Sequence, residues 1–216
     1  MRARSLFLMG IAAAAAGLLA PAARADGPRF EVTPFVGYRV GGQFEAEPTT
    51  TEGSPESVDL EDAGSWGLDL GLYRDQSSFY ELLYSRQTAG LDSREAALAG
   101  VDVVTEYLHF GGTLLFADER FYAPYLSVTL GATRLSADQG GYDDELRASA
   151  SIGGGFRFPL GDTFAITAGV RAYVTFINSD TDIFCVSTSE NAGCLLKSSG
   201  GTFWQGEAQL GLTARF

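Results

Sequence analysis

The residues of this 216-residue chain best suited to chemistry are acids and arginines on the polar side of alternating segments. Alternation of apolar and polar residues is typical of β-strands with one apolar face. Charges of opposite sign on such faces are expected to pair, because an unpaired buried charge costs several kcal/mol. We expect Arg39, Arg171 and Glu207 at one height and the other charges lower. The predicted network consists of Glu31, Arg39, Asp69, Glu81, Arg157, Arg171, Glu207 and Arg215.

Two interpretations of this charge network stay open. Paired charges in the middle of a narrow barrel form a structural plug. The same side chains can also act as the selectivity groups of a narrow pore, where they would determine which ions pass. An eight-stranded barrel is only wide enough to be filled by its own side chains, which favours the plug.

His109 is the only histidine and therefore the first candidate for catalysis. A catalytic histidine needs a nucleophile within hydrogen-bond reach, at a place that a substrate can enter. His109 lies in the middle of an alternating segment, and no serine follows two residues later. We therefore interpret His109 as a packing residue and predict no catalytic residue and no enzymatic activity.

The only two cysteines, Cys185 and Cys194, lie in one segment rich in Ser and Gly. In an exported chain this spacing predicts a disulfide that closes a loop. Metal binding is the alternative, but no histidine or further cysteine supports it. Asp143, Asp144 and Glu145 could hold Ca²⁺, yet they lack the ligand spacing of a calcium loop. We predict no metal site and no cofactor.

The first 25 residues have the pattern of a secretory signal peptide. Arg2 and Arg4 precede an apolar run over 6–20, and a small-x-small site ends at Ala25. The run is shorter than the about 20 residues that a membrane-spanning helix needs. We therefore divide the chain into a signal peptide, 1–25, and one domain, 26–216. The formal net charge of −12, without a basic cluster, argues against nucleic acid as a partner.

Eight alternating segments follow, and the links between them alternate in length. This arrangement predicts an all-β fold, an antiparallel up-and-down barrel with its long loops at one rim and its short turns at the other. The predicted strands are 30–40, 64–73, 79–88, 101–116, 121–135, 145–159, 163–178 and 202–216. The long links are 41–63, 89–100, 136–144 and 179–201, and the first of these is expected to be mobile and acidic.

The composition of the two faces indicates which side of the barrel is apolar. A soluble barrel would carry its apolar side inside and a charged exterior outside. Here the polar face is mostly small residues, and the single lysine, Lys197, lies in a predicted loop. Aromatic residues cluster near both ends of the strands, as in the interface girdles of transmembrane barrels. The sequence therefore predicts a transmembrane barrel with an apolar exterior.

The eight-strand layout, the opening FEVTPFVGYRVGG and the terminal run Leu210, Leu212, Ala214, Phe216 resemble the small outer-membrane β-barrel superfamily, which includes OmpA barrel domains, OmpX and OmpW. The resemblance implies a Gram-negative outer membrane, with long loops outside and short turns in the periplasm. It also implies that Phe216 is the signal read by the barrel-assembly machinery.

The partners expected on this basis are outer-membrane lipid and lipopolysaccharide, and host or surface ligands that contact the acidic loops. We expect a monomer. The predicted function is an envelope-structural or surface-interaction role with a plugged lumen. The alternative is a narrow porin-like channel for small solutes or, as the resemblance to OmpW implies, for small hydrophobic molecules.

Overall fold

All the elements described by the computed structural model are β-strands. The structure describes residues 30–46, 56–92, 102–116, 121–137, 144–177, 181–187, 192–198 and 201–216. The strands are β1 (Phe30–Val40), β2 (Gln43–Ala46), β3 (Glu56–Leu60), β4 (Ala63–Tyr73), β5 (Ser78–Asp92), β6 (Asp102–Leu115), β7 (Ala123–Ala137), β8 (Glu145–Leu160), β9 (Phe164–Ile177), β10 (Thr181–Ser187), β11 (Ala192–Ser198) and β12 (Gly201–Arg215). Within these ranges no helix is long and apolar enough to cross a membrane.

Eight of these strands form a closed antiparallel barrel in the order β1, β4, β5, β6, β7, β8, β9, β12. The ring closes between β1 and β12, where Glu31 is opposite Arg215 and Val40 is opposite Gly206. Closure gives every barrel strand two neighbours, so that none of the eight exposes a free edge. The predicted all-β, eight-stranded barrel is confirmed, with strand ends shifted by a few residues.

The first and last long links differ from the prediction, which treated them as loops without strands. The link 41–63 contains β2 and β3, and the link 179–201 contains β10 and β11. These four strands continue the sheet beyond the barrel in the order β10, β11, β2, β3, and β3 pairs with the end of β5. Gly41 and Gly42, with φ values of 81° and 114°, turn the chain from β1 into this extension.

The two cysteines fall in the extension, on neighbouring strands. Cys185 on β10 is directly opposite Cys194 on β11 in the backbone register. Direct opposition on antiparallel strands brings two side chains close together. The cysteine side chains lie outside the described part of the structure, and the disulfide stays a prediction.

Two of the three short turns, both at the opposite rim, are described. In the turn between β4 and β5, the carboxylate of Asp75 accepts hydrogen bonds from Ser78 Oγ at 2.6 Å and the Ser77 amide at 2.8 Å. These two donors hold the pKa of Asp75 below its usual value. Between β8 and β9, Gly161 adopts a φ of 89°, which a glycine reaches without steric cost.

The barrel is polar inside and apolar outside, which excludes the alternative of a soluble barrel with an apolar interior. Strand alternation directs every second side chain into the lumen, and most of the charged side chains among them are buried. The buried polar and charged residues include Glu31, Arg39, Glu81, His109, Arg157, Arg171, Gln205 and Glu207. The exposed apolar residues include Val36, Leu70, Leu82, Phe110, Leu130, Ile152, Val170 and Leu210.

Charged residues appear on the outer wall near the rim of the long links. Glu106 on β6 accepts from Arg86 at 2.9 Å and from Arg134 at 3.1 Å, and Arg134 also pairs with Asp144 at 2.6 Å. The hydroxyl of Tyr84 donates to Glu106 at 2.7 Å. This chain of ion pairs crosses the neighbouring strands β5, β6 and β7, ends at the residue before β8, and lies above the apolar wall. It therefore marks the upper limit of the apolar band.

Substituting arginine at two equally exposed leucines tests where this band lies. The side chains of Leu130 and Leu146 are both 67% exposed, but only Leu130 lies in the middle of the apolar wall. We expect Leu130→Arg to lower the free energy of unfolding by about 2–4 kcal/mol and Leu146→Arg by about 1 kcal/mol or less. Urea unfolding in lipid vesicles measures both costs. Equal costs would contradict the assigned band.

Candidate functional site

The upper part of the lumen holds an ion pair between the neighbouring strands β1 and β12, on which Arg39 and Glu207 are directly opposite each other. Arg39 Nη2 lies 3.2 Å from Glu207 Oε1, and both side chains are fully buried. The other Glu207 oxygen accepts from the Tyr173 hydroxyl at 2.6 Å. Ser65 and Ser85 also donate to this carboxylate, and Ser85 accepts from Arg39. Each oxygen of Glu207 thus has a donor from another strand, which replaces the water that burial removes.

Two stacked tyrosine rings lie against Arg39 and fill the middle of the lumen. The rings of Tyr107 and Tyr173 are 4.1 Å apart with an interplanar angle of 19°. The guanidinium carbon of Arg39 lies 4.9 Å from the first ring and 5.1 Å from the second, within cation–π distance. The Tyr107 hydroxyl donates to Gln205 at 2.9 Å, and Gln205 donates to Gln87 at 3.0 Å. This amide pair closes the lumen above the rings.

A second ion pair lies below the first. Arg171 Nη2 on β9 lies 2.6 Å from Glu81 Oε1 on β5, on the other side of the barrel. Thr113 donates to the second oxygen of Glu81, and Arg171 Nη1 donates to Ser151 at 3.0 Å. Both charged side chains are buried, so that this pair crosses the lumen without contact with bulk water.

The third ion pair lies nearest the short-turn rim. Arg157 donates to both oxygens of Glu31, at 2.9 and 2.7 Å, in the two-pronged geometry that a guanidinium and a carboxylate share. The Tyr73 hydroxyl donates to Glu31 at 2.6 Å. The guanidinium carbon of Arg157 lies 5.3 Å from the centre of the Phe79 ring. A charged layer with aromatic support therefore closes the lower end of the lumen.

Asp69 and Arg215 are the two predicted network residues that make no ion pair among the described residues. Asp69 lies between the lower and middle pairs and lines a cavity of about 20 Å³ together with Tyr125 and Gln209. Such a cavity holds about one water molecule. Its polar lining fits a hydrated carboxylate better than a bound organic ligand.

The structure therefore brings six of the eight predicted charges together in three pairs. Arg39 and Glu207 pair as their common height suggests. Arg171 is opposite Glu207 in the β9–β12 register, yet it pairs with Glu81 below it. The tyrosines and the two glutamines were not part of the predicted network. Tyr173 and Gln205 each lie two residues from a predicted inward charge, so that strand alternation also directs them into the lumen. This spacing could have placed both residues in the predicted network.

His109 has a serine neighbour that the sequence did not predict. His109 Nε2 lies 2.8 Å from Ser149 Oγ, and Nδ1 lies 3.0 Å from Thr129 Oγ1. Gly131 is opposite both His109 and Ser149 in the register, and its missing side chain leaves the space through which the imidazole reaches β8. The partner of Nδ1 is a hydroxyl and not a carboxylate, and both His109 and Ser149 are buried. This arrangement supports a packing role for His109.

Phe216 lies at the lower end of the seam where the barrel closes. Its amide donates to the Phe30 carbonyl at 2.8 Å, and the Phe30 amide donates back at 3.3 Å. The aromatic ring is on the exposed outer face. Phe216 is therefore accessible at the short-turn end of the wall, and its role as an assembly signal stays a prediction.

Removing one member of a lumen pair is expected to cost more than removing a surface charge. Arg171→Met leaves Glu81 buried with Thr113 as its remaining donor, and we expect a loss of about 3–5 kcal/mol. Replacing both partners, in Arg171→Met with Glu81→Met, should restore most of that loss. Urea unfolding in lipid vesicles measures the cost.

The control for this prediction is Arg134→Met, which removes a half-exposed arginine of the rim. We expect a change of about 1 kcal/mol or less. A similar cost for Arg171→Met and Arg134→Met would contradict the importance of the buried pair.

Solved structures similar to this chain share its fold at low sequence identity. Neisserial surface protein A has a TM-score of 0.56 and 16% identity, with 87% of this chain and 97% of that structure covered. AlkL, solved in lipid bilayers, has a TM-score of 0.53 and 11% identity, covering 91% and 94%. OprG from Pseudomonas aeruginosa has a TM-score of 0.51 and 11% identity, covering 88% and 96%. No protein-family model and no curated protein matches the sequence.

These neighbours are outer-membrane barrels, and identities this low show a common fold alone. The closed ring of eight antiparallel strands is that common fold. The apolar exterior and the polar, ion-paired lumen are the pattern that a barrel needs in lipid. The chain therefore has the fold of the small eight-stranded outer-membrane β-barrels, with the apolar exterior and polar lumen of a transmembrane barrel.

Proposed function

We propose that this chain is a non-enzymatic outer-membrane barrel whose lumen is closed, and that it acts in envelope structure or surface interaction. The observation that supports this most directly is the layer formed by Arg39, Glu207 and the two stacked tyrosines. All four side chains are buried, and they reach across the lumen from four different strands. A solute on the lumen axis would have to displace an ion pair that has no water to replace its partner.

The two lower ion pairs add to this barrier. The cavity between them has room for about one water molecule, and its lining includes both arginines of those pairs, Arg157 and Arg171. A hydrated ion needs a continuous wider path. The charges therefore act on one another as a plug, and this is why we rank the plug above a narrow porin-like channel.

The geometry around His109 supports the non-enzymatic part of the proposal. A nucleophile and its base need a place where a substrate can approach the reacting atom. Ser149 and His109 are in contact, but they face the packed interior. The ring centres of Tyr107 and Tyr173 lie 5.5 and 5.8 Å from the centre of the imidazole. A lipid substrate would have to enter the lumen to reach the serine.

The charge at the outer rim supports a surface role. Asp59, Glu61, Asp62 and Asp102 are exposed there. Cationic ligands, or lipopolysaccharide phosphates bridged by divalent cations, are the partners that such a rim would attract. The closed barrel leaves no unpaired barrel strand, which fits a monomer.

Conductance of the refolded chain in a planar bilayer tests the closed lumen. We expect no steady openings from the wild-type protein. Removing both rings, in Tyr107→Ala with Tyr173→Ala, should produce openings because it removes the stacked pair that supports Arg39. The matched control is Leu108→Ala with Val174→Ala, which alters lipid-facing neighbours on the same two strands and should stay silent.

Steady openings in the wild-type protein would contradict the proposal. If Arg39→Ala then changed their ion selectivity, the channel alternative would replace it. This result would not depend on whether the double tyrosine variant folds, because the wild-type recording decides it.

A further inference from the structure

The outer wall of the barrel has a groove near the short-turn rim. Its volume is about 320 Å³, and it runs over β5, β6 and β7. Tyr80 and Val128 form its upper sides, and Leu114 and Leu126 lie below them. All four side chains are exposed on the apolar wall. The groove therefore opens toward the lipid and not toward the lumen.

Gly112 forms the floor of the groove because it has no side chain. In the strand register Gly112 lies between Tyr80 on β5 and Val128 on β7, and both of these neighbours are large. A Cβ added at Gly112 would lie 3.6 Å from its nearest neighbour, which is ordinary contact. At the adjacent Gly111, by contrast, a Cβ would lie 2.1 Å from a backbone oxygen. Barrel packing thus requires a glycine at position 111 but leaves space for a side chain at 112.

A cation lies at the rim end of the groove. Arg74, in the turn that precedes β5, lines the groove, and its side chain is 70% exposed. Its nearest acid is Asp75, at 4.0 Å, the limit of an ion pair. The Asp75 carboxylate is already engaged by the Ser77 amide and the Ser78 hydroxyl. The guanidinium is therefore available to an anion at the membrane interface.

We propose that this groove is a specific site for a phosphoglycerolipid of the periplasmic leaflet, with an acyl chain over Gly112 and the phosphate on Arg74. The apolar walls fit a hydrocarbon chain, and the guanidinium matches a phosphate in charge and in geometry. The short turns lie on the periplasmic side, which puts Arg74 at the depth of the inner-leaflet head groups. The site is independent of the lumen, and its existence does not depend on whether the lumen conducts.

The groove combines a gap in the wall with a charge, and a second gap at Gly206 provides a comparison. Gly206 is another outward-facing glycine, and a Cβ there would also lie 3.6 Å from its nearest neighbour, Val40. Gly206 lies on the opposite half of the barrel near the upper belt, without an arginine beside it. It therefore provides a matched control for filling a gap in the wall.

Native mass spectrometry of the refolded chain in detergent micelles tests the site, with dipalmitoyl phosphatidylglycerol as the probe. We expect one tightly held lipid per barrel. Gly112→Leu should weaken its binding by about tenfold because leucine fills the groove, while Gly206→Leu should leave it unchanged. Dipalmitoylglycerol, which lacks the phosphate, should bind more weakly to the wild-type chain.

Arg74→Gln separates the contribution of the phosphate from that of the acyl chain. It changes an exposed turn residue, so that the barrel should fold normally, which heat-modifiable gel migration checks for every variant. We expect it to weaken binding of phosphatidylglycerol and to leave binding of dipalmitoylglycerol unchanged. Equal lipid binding by wild type, Gly112→Leu and Gly206→Leu would overturn the proposal and leave only non-specific lipid around the barrel. An unchanged preference for phosphatidylglycerol in Arg74→Gln would also overturn it.

Discussion

The ion pair between Arg39 and Glu207 has no exposed surface on either side chain, and the structure around it follows from that fact. A barrel that must be apolar toward lipid turns the polar strand positions of its membrane band inward. With eight strands the interior is narrow, so that a charge placed there has no access to bulk water. It must find its partner inside the barrel, either on the neighbouring strand, as Arg39 and Glu207 do, or across the lumen, as in the two lower pairs. The three buried pairs are the consequence of this constraint.

Aromatic and hydroxyl groups complete each pair. Tyr173 provides both a donor for Glu207 and a ring face for Arg39. In the lowest pair two residues share these roles: the Tyr73 hydroxyl donates to Glu31, and the Phe79 ring faces Arg157. These groups supply the interactions that water would otherwise give to a charge. The lumen is closed as a result, because the groups that satisfy the charges also occupy the space.

Much of the fold was predictable because strand alternation and link length are local properties of the sequence. They determine which residues face inward, and all eight predicted charges do lie on inward positions of the barrel strands. The added hairpins were missed because β2 and β3 are short and rich in polar residues. Such segments form strands only by pairing with the barrel ends, which is a tertiary effect.

The pairing partners were less predictable because they depend on contacts across the lumen. Arg171 is adjacent to Glu207 in the register, but its long side chain reaches Glu81 instead. The contact between His109 and Ser149 passes over Gly131 and joins strands that are not neighbours. The groove at Gly112 depends on side chains from three strands. Each of these features arises from the closed ring and not from one segment.

Thiol labelling inside the lumen tests the closed barrel most directly. Ser127 is buried in the lumen, and its hydroxyl has no hydrogen-bond partner in the described part of the chain, so that Ser127→Cys loses no hydrogen bond. Both variants, Ser127→Cys and the exposed reference Ser77→Cys, are made in a chain that also carries Cys185→Ser and Cys194→Ser. A small charged thiol reagent should label position 77 and leave position 127 unmodified. Labelling of position 127 at a rate similar to that of position 77 would contradict the account.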